Sequence, residues 1–105
     1  MNFIFAYITT KDKEQALSIG KVLVEERLCA CVNIIDPMTS IYRWEGQITT
    51  DSETVLIAKT TAEKFDVLQE RVKQLHSYSC PCIVSIPVSN GSAQYLDWLS
   101  SSLSS

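Results

Sequence analysis

The chain has 105 residues, 46% of them hydrophobic and 20% charged, with a formal net charge of −3. That length buries one core and is too short for two, so residues 1–105 read as a single domain. The acidic balance and the scattered lysines and arginines leave no basic field for nucleic acid, and no apolar run is long enough for membrane insertion or a signal-peptide core. A soluble, cytoplasmic protein is expected.

In chain order, Asn2 to Thr9 is nearly continuously apolar and β-rich, the pattern of a central strand. Between Asp12 and Leu28, Leu17, Gly20, Val24 and Leu28 recur at helical spacing, flanked by Ala16 and Leu23, with Thr10 or Asp12 as N-cap. Cys29 to Ile35 reads as a strand, and Asp36-Pro37 predicts a bend or bulge because proline cannot donate to a ladder. Thr39 to Trp44, the turn Glu45-Gly46 and Gln47 to Thr60 then form a long β-hairpin. Its outer half carries more aromatic and aliphatic surface than a small monomer can cover, which predicts packing on another chain.

Thr60-Thr61-Ala62-Glu63 has the pattern of a capping box, followed by the stripe Phe65, Leu68, Val72 and Leu75 in a second helix ending at His76. Pro81 and Pro87 bracket a short strand, Cys82 to Ile86. Asn90-Gly91-Ser92 caps a final helix in which Tyr95, Leu96 and Leu99 share a face, and the serine-rich residues 100–105 are expected to be a disordered tail. The order βαββαβ plus a terminal helix gives the fold class: α+β, a ferredoxin-like sandwich with a long β-hairpin and a C-terminal helix. The sheet face opposite the two main helices needs a cover, from the last helix or from neighbouring subunits.

All four cysteines and the single histidine fall in two clusters, Cys29-Ala30-Cys31 and His76-Ser77-Tyr78-Ser79-Cys80-Pro81-Cys82. Thiolate and imidazole select soft transition metals over hard cations. Alternate strand residues point to one side, so Cys80 and Cys82 can share an ion, with His76 as third candidate and Cu(I) as the favoured ion. The competing readings are small buried hydrophobes for the thiols and, for His76, a helix C-terminal imidazolium. Cys29 and Cys31 read as core. Tyr42, Trp44 and Trp98 are expected at a ligand site or, more readily, as anchors of an inter-subunit interface. Arg43 and Glu45 are expected to pair across the hairpin or its interface, or Arg43 to hold an anion.

The runs Val24-Glu25-Glu26-Arg27-Leu28-Cys29-Ala30-Cys31-Val32-Asn33-Ile34-Ile35, Ser40-Ile41-Tyr42-Arg43-Trp44-Glu45-Gly46, His76-Ser77-Tyr78, and Gly91 with Tyr95-Leu96-Asp97-Trp98 resemble the CutA family of divalent-cation tolerance proteins along essentially the whole chain. The resemblance implies a homotrimer built like PII signalling proteins, with hairpins extending sheets across subunit boundaries. It also implies a role in the response to metal ions, with copper binding. Some metal-binding members carry cysteine where this chain has Ile8 and a second histidine where it has Leu75, so His76 alone corresponds directly. Acidic residues usual after that motif are replaced here by Ser79, Cys80 and Cys82.

The expected function is therefore a trimeric divalent-cation tolerance protein that binds copper or another divalent or monovalent transition metal and has no obligatory cofactor. The alternative is a PII-like small-molecule sensor or adaptor with ligands in inter-subunit clefts. An enzyme is not expected: the chain lacks a Cys-x-x-Cys pair and a phosphate-binding glycine loop, and one histidine leaves little room for a base with an oriented partner.

Overall fold

The computed structural model describes residues 2–104. Its elements are β1 (Phe3–Thr10), α1 (Lys13–Glu25), β2 (Cys31–Trp44), β3 (Gln47–Thr61), α2 (Phe65–Leu75), β4 (Ile83–Pro87) and α3 (Ala93–Leu103). The four strands form one antiparallel sheet in the order β2-β3-β1-β4, which is the ferredoxin-like arrangement. Ala6 and Ile8 of β1 and Leu56 and Ala58 of β3 pack against Ala16, Ile19 and Leu23 of α1 and Leu68 and Val72 of α2. This is the main core, and it lies on one side of the sheet.

Helix α1 starts where Asp12 Oδ1 accepts from the Gln15 N–H at 2.8 Å. It ends three residues before the expected Leu28. Arg27 turns left-handed at φ 58°, the Leu28 N–H donates to Leu23 O at 2.9 Å, and the Arg27 N–H donates to Val24 O at 3.1 Å. These two bonds form a Schellman stop. Because no glycine occupies the left-handed position, this stop carries no local residue signal. The buried face also differs from the expected stripe: Ala16, Ile19, Gly20 and Leu23 face the sheet, whereas Leu17 and Val24 are exposed. Gly20 decides this orientation, since a β-carbon there would lie 3.0 Å from Val32 Cγ2.

The expected capping box does not form. Thr60 and Thr61 remain in β3, where Thr60 Oγ1 donates to Leu28 O at 2.8 Å and the Ala62 N–H bonds to Asn2 O at 2.8 Å. A short 3-10 turn, Ala62–Lys64, leads into α2, and Thr61 makes no side-chain capping bond. The expected disordered tail is also corrected. Residues 100–103 continue α3, and Leu103 is buried together with Leu99. Two apolar side chains four residues apart give this serine-rich turn a face to bury, and Arg27 Nη1 adds a bond to Ser102 O at 3.0 Å. Ser105 lies outside the described residues.

Helix α3 lies against β3 on the sheet face away from α1 and α2. There the Lys59 ammonium sits 5.3 Å from the Phe5 ring centroid and 5.5 Å from that of Tyr95. The helix covers only part of that face, leaving Ile35, Val84 and Ile86 exposed.

Candidate functional site

The β2-β3 hairpin is closed by Glu45 and Gly46, both at positive φ (50° and 78°), a two-residue turn whose twist matches the strands. The expected irregularity at Asp36-Pro37 is present. Ile35 pairs with Val55 and Met38 with Glu53, so two residues of β2 oppose Thr54 alone. This bulge contains a cis Asp36-Pro37 peptide and is tied by Thr54 Oγ1 donating to Asp36 Oδ1. Its consequence is a change of parity. Before it, odd-numbered residues of β2 share a face with Val55, Ile57 and Lys59; after it, even-numbered residues do. Tyr42 and Trp44 thereby join Glu53 and Asp51 on the face that α1 and α2 leave open.

Thr9 and Cys82 reach the same face from β1 and from the residue before β4, where the Thr9 N–H meets Cys82 O at 3.4 Å. Thr9, Tyr42, Trp44, Glu53, Tyr78, Ser79, Cys80 and Cys82 enclose a cleft of about 330 Å³. Tyr78 Oη donates to Glu53 Oε2 at 2.9 Å, and Tyr42 Oη donates to Asp51 Oδ2. Burial first, and then the Glu53 hydrogen bond, push the Tyr78 phenol above its usual range. The Cys82 thiol is raised by burial and by the Glu53 charge. The Tyr42 phenol is raised chiefly by its bond to Asp51.

Of the expected ligands, Cys80 and Cys82 are exposed and line this cleft together. His76 does not join them, which corrects the three-ligand expectation. Its Nδ1 accepts the Tyr78 N–H at 3.1 Å and its Nε2–H donates to Thr9 O at 2.8 Å, while its ring lies tilted against that of Tyr78, centroids 4.7 Å apart. Both ring nitrogens are used in holding the segment after α2 against β1, and no lone pair is left for an ion. Among the described residues, no three His, Cys, Asp or Glu side chains of one chain are placed to hold a metal.

Tyr42 and Trp44 share the cleft, but Trp98 does not line it; it stands on α3 beside Tyr95, ring centroids 5.7 Å apart. Arg43 and Glu45 do not pair within the chain. Among the described residues the ion pairs are Arg71–Glu26 and Lys73–Glu70. Cys29 is buried in the main core, its thiol pushed up to about 12 by burial and by Cys31. Cys31, expected in the core with it, lies instead in register with Lys59 on the opposite face of the sheet and is only partly buried. The sequence reading missed Asp51 and Glu53. Their spacing of two within a strand was the available signal, since it puts both carboxylates on one face.

The chain matches the family described as CutA1 divalent ion tolerance protein over residues 4–102. It is 53% identical over 92 residues to the divalent-cation tolerance protein CutA of Thermus thermophilus, covering 88% of this chain and 89% of that protein. Identity to the protein of the same name from Archaeoglobus fulgidus is 45% over 95 residues, covering 90% of this chain and 92% of the relative. The crystal structure of CutA1 from Oryza sativa superposes with a TM-score of 0.95 at 38% identity, covering 97% of this chain and 94% of the other.

Proposed function

The chain belongs to the CutA1 divalent ion tolerance family, and on that premise we propose that it is a cytoplasmic homotrimer that binds copper or a similar transition metal in the response to metal ions. The observation that carries the metal reading is that two exposed thiols, Cys80 and Cys82, line one cleft together with Glu53. Thiolates favour Cu(I), and two of them suffice for an ion of low coordination number. Further donors come from water or from another subunit. The ion is cargo rather than a resident cofactor, and the relatives are named for cation tolerance rather than for a catalysed reaction. No helix among the described residues is long and apolar enough to cross a membrane.

The trimer reading is supported by the hairpin. Ile41 and Ile48 are 69% and 65% exposed on one face of the arm, and Trp44 is 55% exposed on the other. An arm apolar on both sides is stable in water when neighbouring chains cover it. Titration with Cu(I), followed by thiolate-to-copper absorption, is expected to saturate near one ion per subunit and to fail in Cys82→Ser; unchanged binding in that variant overturns the metal assignment. Light scattering at micromolar concentration is expected to give three times the 11.8 kDa chain mass, and a monomer mass overturns the trimer.

A second reading, a small-molecule sensor or adaptor in the manner of PII proteins, is favoured by the size of the cleft. It lies within the range of about 300–1,000 Å³ typical of ligand pockets. A metabolite that binds there should raise the melting temperature without added metal.

A further inference from the structure

The residues that one chain contributes to the cleft are charged in one sense only. Neither lysine nor arginine lines it, Glu53 does, and Asp51 lies behind Tyr42. Each of these carboxylates accepts a phenolic hydrogen bond, and neither belongs to an ion pair among the described residues. A hydrogen bond reaches one oxygen of each, no cation of the same chain pairs with either among the described residues, and Glu53 is partly buried. The same field is felt by the Cys82 thiol and the Tyr78 phenol, both held in their protonated forms by burial and by Glu53.

Three aromatic side chains border the same space. Tyr42 and Trp44 come from β2 beyond the bulge, and Tyr78 comes from the segment between α2 and β4. Ring faces carry negative electrostatic potential and attract weakly hydrated cations, tryptophan most strongly. An anionic ligand such as a nucleotide would meet Glu53 with no cation to receive its phosphates. A hard divalent ion needs six or more oxygen donors or a tight octahedral set, and the lining offers one carboxylate.

We propose that this cleft binds a small organic ammonium ion, held by the rings of Tyr42, Trp44 and Tyr78 and neutralised by Glu53. The proposal rests on the reading of the cleft as a ligand site and names its ligand class. It is independent of the thiols' affinity for copper.

The test uses the full chain with Trp98→Phe as background, so that the remaining tryptophan signal comes from Trp44, in the presence of a metal chelator. Choline is titrated against its neutral isostere 3,3-dimethylbutan-1-ol and against AMP. The expected result is a saturable change with choline, about tenfold weaker for the neutral isostere and for Glu53→Gln. Glu53→Gln keeps an acceptor for Tyr78, and an unchanged melting curve shows that it is folded. Equal affinity for the neutral isostere, or no effect of Glu53→Gln, overturns the cation assignment. If AMP binds and choline does not, the cleft remains a ligand site and the ammonium assignment falls. If none of the three binds, both readings fall.

Discussion

The Tyr78 hydroxyl donates to Glu53 at 2.9 Å across 25 residues of sequence, tying the segment after α2 to the hairpin just beyond its bulge. This bond closes one wall of the cleft. It also couples the cleft to pH, because the phenol that makes it is held above its ordinary value of 10.0 by burial and by the carboxylate it faces.

For an acid whose folded pKa lies above its unfolded one, the unfolded chain loses its proton first as pH rises. Stability from Tyr78 is therefore fully present below pH 10 and declines above it. Urea unfolding at pH 8 and pH 10.5 should show a smaller alkaline loss in Tyr78→Phe than in the native protein. At pH 8 that variant should be less stable by about 1.5–3 kcal/mol, the cost of a lost hydrogen bond to a charged group. An identical alkaline slope in both proteins would show that Tyr78 does not carry the effect.

Thiol reactivity should divide along the same lines. With iodoacetamide at pH 8 and peptide mapping by mass spectrometry, Cys80 and Cys82 should be alkylated in the folded protein. Cys29, buried and raised to about 12, should react only after unfolding. Because Glu53 helps to hold Cys82 protonated, Glu53→Gln should speed its alkylation a few-fold and leave Cys80 less affected.

Gly20 sets the distance between α1 and the sheet, its missing β-carbon 3.0 Å from Val32 Cγ2 and 3.4 Å from Leu56 Cδ1. Gly20→Val should destabilise by roughly 1–3 kcal/mol through overpacking. In Gly20→Ala the helix-propensity gain of about 1 kcal/mol offsets part of a smaller clash. A lower urea midpoint at unchanged m-value is the expected signature.

Leu103 distinguishes a docked helix end from a loose tail. It is 7% exposed, and Leu103→Ala should cost about 2–3 kcal/mol, read from the same denaturation curves. A change within experimental error would mean that the last turn of α3 contributes nothing.

The hairpin supplies a test by mass. Ile41→Asp with Ile48→Asp alters two side chains that are exposed in the single chain. The charges should leave chain folding by circular dichroism nearly unchanged while reducing the scattering mass from three subunits to one.

Much of this architecture was legible in the residues themselves. The order of strands and helices followed from apolar periodicity, the Glu45-Gly46 turn and the irregularity at Asp36-Pro37, all set by local sterics and hydrogen bonding. Where the local signal was weak, the reading slipped. Arg27 stops α1 without a glycine, Thr60 and Thr61 stay in the sheet because tertiary partners claim them, and Leu103 draws a serine-rich end into a helix.

The site belongs to a different level. The residue types available to it are legible along the chain: two thiols at alternate positions, aromatics in the arm and a histidine after α2. Tertiary structure decided which of them meet. The bulge opposite Thr54 brings Tyr42 and Trp44 to the face of Glu53, and the ladder between β1 and β4 brings Cys82 to that face as well. His76 is claimed at both nitrogens by the backbone of Thr9 and Tyr78. Within the hairpin the two-residue turn and the bulge set the register locally, but Thr9, His76, Tyr78 and Cys82 arrive across long connections, where a shift of one residue reverses the face of every side chain that follows.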